Sequence, residues 1–230
     1  MLDGQPNGLG KMTYAAGSKL TSFPTGYASV NCASYQGSWL RGTYCQRGKM
    51  VWSDGSGYEG SFVDGKMHGR GKLTLRHGHV YEGDYVDDKQ TGRGKQSFTN
   101  GTIYEGDFVD GKRNGRGKRA WADGTVYEGD WKDDEKHGRG QFKWPSGDVY
   151  EGDYVRNKRI GHGKFTWPDG DVYEGDWKDD NRTGRGKFTW LSGSVYEGDY
   201  KDGVRNGRGK MTFASGTIQD GQWRDDMFIT

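Results

Sequence analysis

Two cysteines, Cys32 and Cys45, are all that the 230-residue chain contains, and their spacing fits neither a disulfide framework nor a zinc motif. They are expected to be reduced thiols. No apolar run approaches 18 residues, which excludes a membrane-spanning helix of ordinary length. The opening Met1-Leu2-Asp3-Gly4 lacks the basic stretch and apolar stretch of a secretory leader, so a soluble, cytoplasmic chain is expected. Only 30% of residues are hydrophobic, against roughly 45–50% in globular domains, and that excludes a conventional core. Charge of one sign is also missing. Lys plus Arg number 34 and Asp plus Glu 32, giving +2, too little to drive general nucleic-acid binding. What the chain does have is 42 glycines alongside 9 Trp, 14 Tyr and 9 Phe. Glycine at that level points to disorder, whereas so many aromatic rings require something to order them.

The order comes from repetition. Tyr-Glu-Gly recurs at Tyr58, Tyr81, Tyr104, Tyr127, Tyr150, Tyr173 and Tyr196, always 23 residues apart. The same frame extends back to Tyr35-Gln36-Gly37-Ser38-Trp39 and forward to Gln219-Asp220-Gly221-Gln222-Trp223. Residues 35–230 therefore read as eight full units and a partial ninth. Residues 1–17 read as a half repeat outside the frame, and 18–34 as an irregular loop or cap. With the Tyr as position 1, glycine fills position 3 in every unit and positions 12, 14 and 21 in most. Position 5 is always aromatic, and position 18 is aromatic except at Leu75. All nine tryptophans fall in these two columns.

Positions 1, 3 and 5 alternate with Glu and Asp at 2 and 4, the period-2 pattern of a strand with one aromatic face. Positions 12, 14, 16 and 18 alternate in the same way with Arg, Lys and Thr at 13, 15 and 17. Turn signals such as Pro168-Asp169-Gly170, Asn100-Gly101 and Asp123-Gly124 separate the strands. Each unit is thus expected to be a β-hairpin. A lone hairpin is marginal in water, so the units must stack edge to edge into a continuous antiparallel sheet. Glycines opposite rings let an aromatic side chain lie flat over the backbone, so stacked rings replace the missing core. On the other face the acidic and basic columns are expected to form weak cross-strand ion pairs.

Tyr-Glu-Gly-Asp-Trp-Lys-Asp-Asp followed by Gly-Arg-Gly-Lys-Phe-Thr-Trp, within residues 173 to 190, resembles the MORN repeat, the membrane occupation and recognition nexus. The resemblance runs from residue 35 to the C-terminus. It implies an all-β fold: an elongated, single, twisted antiparallel sheet of stacked 23-residue hairpins with an aromatic-lined groove. Relatives include junctophilins, the arrays of plant phosphatidylinositol phosphate kinases, a SET-domain methyltransferase, radial-spoke proteins and parasite cytoskeletal scaffolds. No attached domain is recognisable here, so no enzyme activity carries over. Gln219, Gln36 and Gln46 depart from the pattern at the end units.

Several patterns invite a chemical reading. Gly55-Ser56-Gly57-Tyr58-Glu59-Gly60 matches a dinucleotide fingerprint in letters only, since no helix-forming segment follows. His68, His77, His79, His137 and His162 occupy variable positions without metal spacing, so neither a metal nor a cofactor is expected. The glutamate column from Glu59 to Glu197 holds seven equivalent copies, which indicates structure in place of acid–base catalysis. Asn100-Gly101-Thr102 and Asn181-Arg182-Thr183 are glycosylation sequons only for a secreted chain.

Two surfaces remain as candidate sites. The first is an aromatic groove of Tyr81, Tyr85, Tyr104, Phe108, Tyr127, Trp131, Tyr150, Tyr154, Tyr173, Trp177, Tyr196 and Tyr200, open to a protein partner, a helix or a second copy. The second is a basic ladder of Arg70, Lys72, Arg93, Lys95, Arg116, Lys118, Arg139, Lys164, Arg185, Lys187, Arg208 and Lys210, facing anionic phospholipid. The expectation is a non-catalytic scaffold at membrane or cytoskeletal structures, with no nucleic acid and no small-molecule substrate. The alternative is a phospholipid-binding regulatory module of a larger enzyme of the phosphoinositide kinase or SET-domain methyltransferase type.

Overall fold

Each 23-residue unit must connect its two strands with turns short enough to keep the alternation in phase, and two turn types do so. In a computed structural model, which describes residues 1–15 and 32–229, positions 7 and 8 both have positive φ, for example Asp179 at 47° and Asp180 at 71°. This is the two-residue turn whose twist matches that of antiparallel strands, and Asp, Asn and Gly tolerate it best. At the other end of each hairpin, Gly147 N–H donates to the Trp144 carbonyl and Trp144 N–H donates to the Asp148 carbonyl, each at 3.0 Å. That is a three-residue connection closed by a positive-φ glycine. Asp54, Asn100, Asp123 and Asp169 at position 20 brace it by accepting the N–H two residues on, at 2.8–3.1 Å.

The chain forms two compact units, Met1–Arg119 and Ala120–Thr230. The first carries β1 (Gly8–Thr13), β2 (Cys32–Leu40), β3 (Thr43–Trp52), β4 (Gly57–Val63), β5 (Lys66–Thr74), β6 (Val80–Val86), β7 (Lys89–Ser97), β8 (Ile103–Val109) and β9 (Lys112–Ala120), which ends at the boundary. The second carries β10 (Val126–Lys132), β11 (Glu135–Lys143), β12 (Val149–Val155), β13 (Lys158–Thr166), β14 (Val172–Lys178), β15 (Asn181–Thr189), β16 (Val195–Lys201), β17 (Val204–Thr212), β18 (Ile218–Arg224) and β19 (Met227–Ile229). Within each unit every strand pairs antiparallel with its neighbour in sequence, and no helix occurs among the described residues. The all-β class and the stacked antiparallel hairpins expected from the sequence are what each unit contains.

Two details differ from the sequence reading. The second strand of each unit starts at position 9, and the glycine at position 12 belongs to a bulge: Gly152 pairs with Gly163, but Asp153 already pairs with Ile160. Gly161 takes a φ of 59° there, and Gln46 holds 54° at the same position in the first full unit. The freed N–H of position 13 is satisfied by the position-4 aspartate of the same unit, as in Arg185 N–H to Asp176 Oδ2 at 3.1 Å. Second, the 18–34 segment lies outside the described residues up to 31, while Cys32–Ser34 belong to β2. In the segment read as a half repeat, β1 pairs with β2 through Gly10↔Gly37 and Met12↔Tyr35, the register used by the full units.

Candidate functional site

The position-1 tyrosines explain the glycine columns. Tyr173 lies across the facing pair Gly175 and Gly186, and its hydroxyl donates to the Asp176 carbonyl at 3.1 Å. A Cβ on Gly186 would sit 2.5–2.7 Å from the hydroxyl and two ring carbons. The hydroxyl bond to position 4 recurs in all eight units that carry the tyrosine. Each tyrosine meets the position-5 ring of its own unit edge-on and, within each compact unit, that of the next. Tyr173 stands 5.3 Å from Trp177 at 88° and 5.1 Å from Tyr200 at 82°. Edge-to-face packing of this kind is the favoured arrangement for aromatic pairs. Trp177 and Trp223 donate their indole N–H to the Gly163 and Gly209 carbonyls at 3.1 and 3.0 Å.

These rings are the core. All twelve residues assigned to an aromatic groove are buried, at 0–6% exposure, so the groove reading of Tyr81, Tyr85, Tyr104, Phe108, Tyr127, Trp131, Tyr150, Tyr154, Tyr173, Trp177, Tyr196 and Tyr200 is corrected. The physical reason is the paired glycines, which let the rings sink onto the backbone and leave their edges to neighbouring rings. Burial accordingly pushes the phenols of Tyr35 and Tyr196 up to about 12, with Arg205 nearby partly offsetting the shift at Tyr196.

The partly accessible rings, among them Trp144, Trp167 and Trp190, lie at positions 16 and 18 instead, although Trp52 and Phe188 in those columns are buried. In Ala120–Thr230 they form one zigzag row: Trp121–Phe142 at 5.8 Å, Phe142–Trp144 at 4.4, Trp144–Phe165 at 5.4, Phe165–Trp167 at 4.4, Trp167–Phe188 at 5.1 and Phe188–Trp190 at 4.4 Å. All are half-buried except Phe188, which is buried. Position 16 holds Met50, Leu73, Gln96 and Arg119 in the preceding units, so the row belongs to the second compact unit alone. Beside it, position 10 supplies Lys136, Arg159, Arg182 and Arg205. Arg159 lies 4.4 Å from the Trp177 centroid and Arg205 4.5 Å from that of Trp223. Both also reach forward to the next tight turn, Arg159 Nε donating to Asp180 Oδ1 at 3.0 Å and Arg205 Nε to Asp226 Oδ1 at 2.9 Å. The sequence showed the position-18 column and its apolar neighbour, but not that the outer rings of this row, Phe188 apart, would stay partly exposed while position 5 sank.

The MORN family model, described as "MORN repeat", matches residues 1–19, 35–57, 58–79, 81–103, 104–126, 127–149, 150–172, 173–195 and 196–218. The chain belongs to the MORN-repeat family. No curated protein matches it. Among solved structures, the TCP domain of SAS-4 (dCPAP) of Drosophila melanogaster, in complex with a proline-rich motif of Ana2 (dSTIL), is 12% identical with a TM-score of 0.43, covering 90% of this chain and 98% of that one. The TCP10 domain of Danio rerio CPAP is 14% identical with a TM-score of 0.43, covering 75% of this chain and 81% of that one.

On the opposite face of the MORN sheet the basic ladder is interleaved with carboxylates. Lys187 sits across from Glu174 on one side and Glu197 on the other, with its Nζ 3.0 Å from the latter. Lys72 and Lys95 are likewise flanked by glutamates on both sides. Arg93 and Arg185 approach Asp107 and Asp199 at 3.4 and 3.5 Å. The glutamate column thus has a pairing role in the MORN array. His162 meets Glu174 and Asp176 at 3.8 and 3.6 Å, and His77 Nε2 lies 3.1 Å from His79 Nδ1. Among the described residues no group of three metal-ligating side chains converges, and no helix is long and apolar enough to cross a membrane. Gly55-Ser56-Gly57 is a turn leading into β4, without the helix a dinucleotide site needs.

Proposed function

We propose that this MORN array is a non-catalytic scaffold that binds a protein partner across the outer aromatic row of its second unit. One observation carries the reading: every position-1 tyrosine is buried in the sheet, yet the chain maintains a second, continuous row of rings from Trp121 to Trp190 of which all but the buried Phe188 stay partly exposed. Rings needed only for folding would sink as the tyrosines do. Exposed apolar rows bordered by polar residues are the usual marks of an interaction surface. The charge-matched opposite face supports the same assignment, because its cations already face carboxylates across the strands.

Peptide-display selection on the purified chain tests this. Selected ligands should bind the parent and lose affinity on the combined Trp144→Ala, Trp167→Ala, Trp190→Ala variant, while Arg93→Gln with Lys95→Gln leaves them unchanged. Ligands indifferent to the three tryptophans would refute the assignment.

A further inference from the structure

We propose that the outer aromatic row of β11–β15 receives a proline-rich segment in the polyproline II conformation, with an acidic side chain of that segment meeting Arg182. This deepens the protein-partner reading and rests on it.

The first ground is pitch. The ring pairs Phe142/Trp144, Phe165/Trp167 and Phe188/Trp190 recur once per repeat, each repeat crossing two strands. Two strand spacings are about 9.6 Å. A polyproline II helix has three residues per turn at 3.1 Å rise, so it presents the same face every ~9.3 Å. Drift over the two intervals between the three ring pairs is about 0.6 Å. Other backbones fit worse. An α-helix returns to the same face after seven residues, about 10.5 Å, and slips by ~0.9 Å per repeat. An extended strand shows one face every ~6.7 Å, and three of its residues, about 10 Å, end on the opposite face. Prolines also stack on tryptophan with little conformational entropy left to lose.

The second ground is charge. Among strand positions on the aromatic face of the second unit, the charged residues are Lys136, Arg159, Arg182 and Arg205, with no carboxylate. The position-8 turn residue of the following repeat supplies the counter-charge for two of them, Asp180 to Arg159 and Asp226 to Arg205. In the repeat between, that turn residue is Gly203. Arg182 Nη2 donates to the Gly203 carbonyl at 2.6 Å, and Arg182 forms no ion pair among the described residues. Its guanidinium lies 5.8 Å from the centroid of Phe188, the ring that Trp167 and Trp190 flank. A partner carboxylate beside a stacked proline supplies what the missing aspartate would have supplied, in the planar geometry that Arg favours.

The experiment titrates the full chain by tryptophan fluorescence and calorimetry with four synthetic 12-residue peptides: (Pro-Pro-Glu)4, (Pro-Pro-Lys)4, (Gly-Ser-Glu)4 and an acidic amphipathic helix. The expected result is saturable binding of (Pro-Pro-Glu)4, at least tenfold tighter than the lysine and glycine–serine peptides. Arg182→Gln should weaken it about tenfold, the size of one charge-assisted pair. Arg182→Glu should turn the preference toward (Pro-Pro-Lys)4, a gain that a misfolded variant could not produce. The inference is overturned if (Pro-Pro-Glu)4 does not bind, if (Gly-Ser-Glu)4 binds as well, or if Arg182→Gln changes nothing. Binding of the helical peptide alone, sensitive to Trp167→Ala, overturns the polyproline assignment but leaves the protein-partner reading standing.

Discussion

Replacing Gly186 by alanine places a methyl group where the structure has the Tyr173 ring. The new Cβ would stand 2.5–2.7 Å from three ring atoms, and the ring is wedged edge-on between Trp177 and Tyr200. A small local adjustment of an overpacked core costs about 1–3 kcal/mol. Expelling a buried aromatic costs about 3–5 kcal/mol. Since the ring can slide neither toward Trp177 nor toward Tyr200, a loss near 3 kcal/mol is expected, at the junction of the two ranges. Gly193→Ala is the control: its φ is +89° with nothing within 4 Å of the added methyl, so only backbone strain of about 1–2 kcal/mol applies. Repeat arrays need not unfold in one step, so the loss is best read as hydrogen exchange of β14 and β15 amides alongside urea unfolding. In a Tyr173→Ala background the Gly186→Ala cost should shrink below about 1 kcal/mol, a coupling of roughly 2 kcal/mol. Equal costs in the two backgrounds would refute the idea that the glycine column exists to seat the tyrosine.

Asp176→Ala should cost about 1 kcal/mol by stranding the Arg185 N–H at the bulge, whereas Arg185→Ala, whose ion pair to Asp199 is exposed, should cost under ~0.5 kcal/mol in the same unfolding assay. Trp131→Ala, at a buried position-5 ring, should lose about 3–5 kcal/mol, and Trp167→Ala in the half-exposed row markedly less; equal losses would place both rings in one core. Alkali should unfold the protein. Because burial raises the Tyr35 and Tyr196 phenols to about 12, the folded state holds protons that the unfolded state releases near pH 10. Stability should therefore hold below pH 10 and fall through pH 12, as thermal melts would show; a tyrosinate absorption titration centred on 10 with the fold intact would contradict the burial. Anionic phosphatidylserine vesicles should retain little of the chain in flotation at physiological salt, since Lys72, Lys95 and Lys187 each face glutamates on both sides; strong, salt-sensitive flotation would revive the lipid reading.

Periodicity alone made the hairpin legible. A 23-residue repeat with period-2 alternation on both halves admits little else, and glycine opposite tyrosine already implied a ring lying on the backbone. The tight turn at positions 7 and 8 was harder to read, because Asp87-Asp88 or Asp179-Asp180 in a charged stretch looks like a solvated surface until both residues are found at positive φ. The bulge is hidden in letters for a related reason: Gly161 continues the alternation and pairs with Trp177 on one side, while its positive φ breaks the register with β12 on the other.

Sequence by itself determined which rings exist, how often they recur and that the sheet must be antiparallel. Tertiary structure decided which of them are core. Tyr173 and Trp177 look as available as Trp167 and Trp190 in the sequence, and the difference arises only when the next strand brings Gly186 under one tyrosine and an aromatic edge against it. Burial is a property of pairs of strands, whereas a sequence lists one strand at a time. The same holds for Arg182, whose missing counter-charge depends on Gly203, 21 residues away, being its neighbour across the turn.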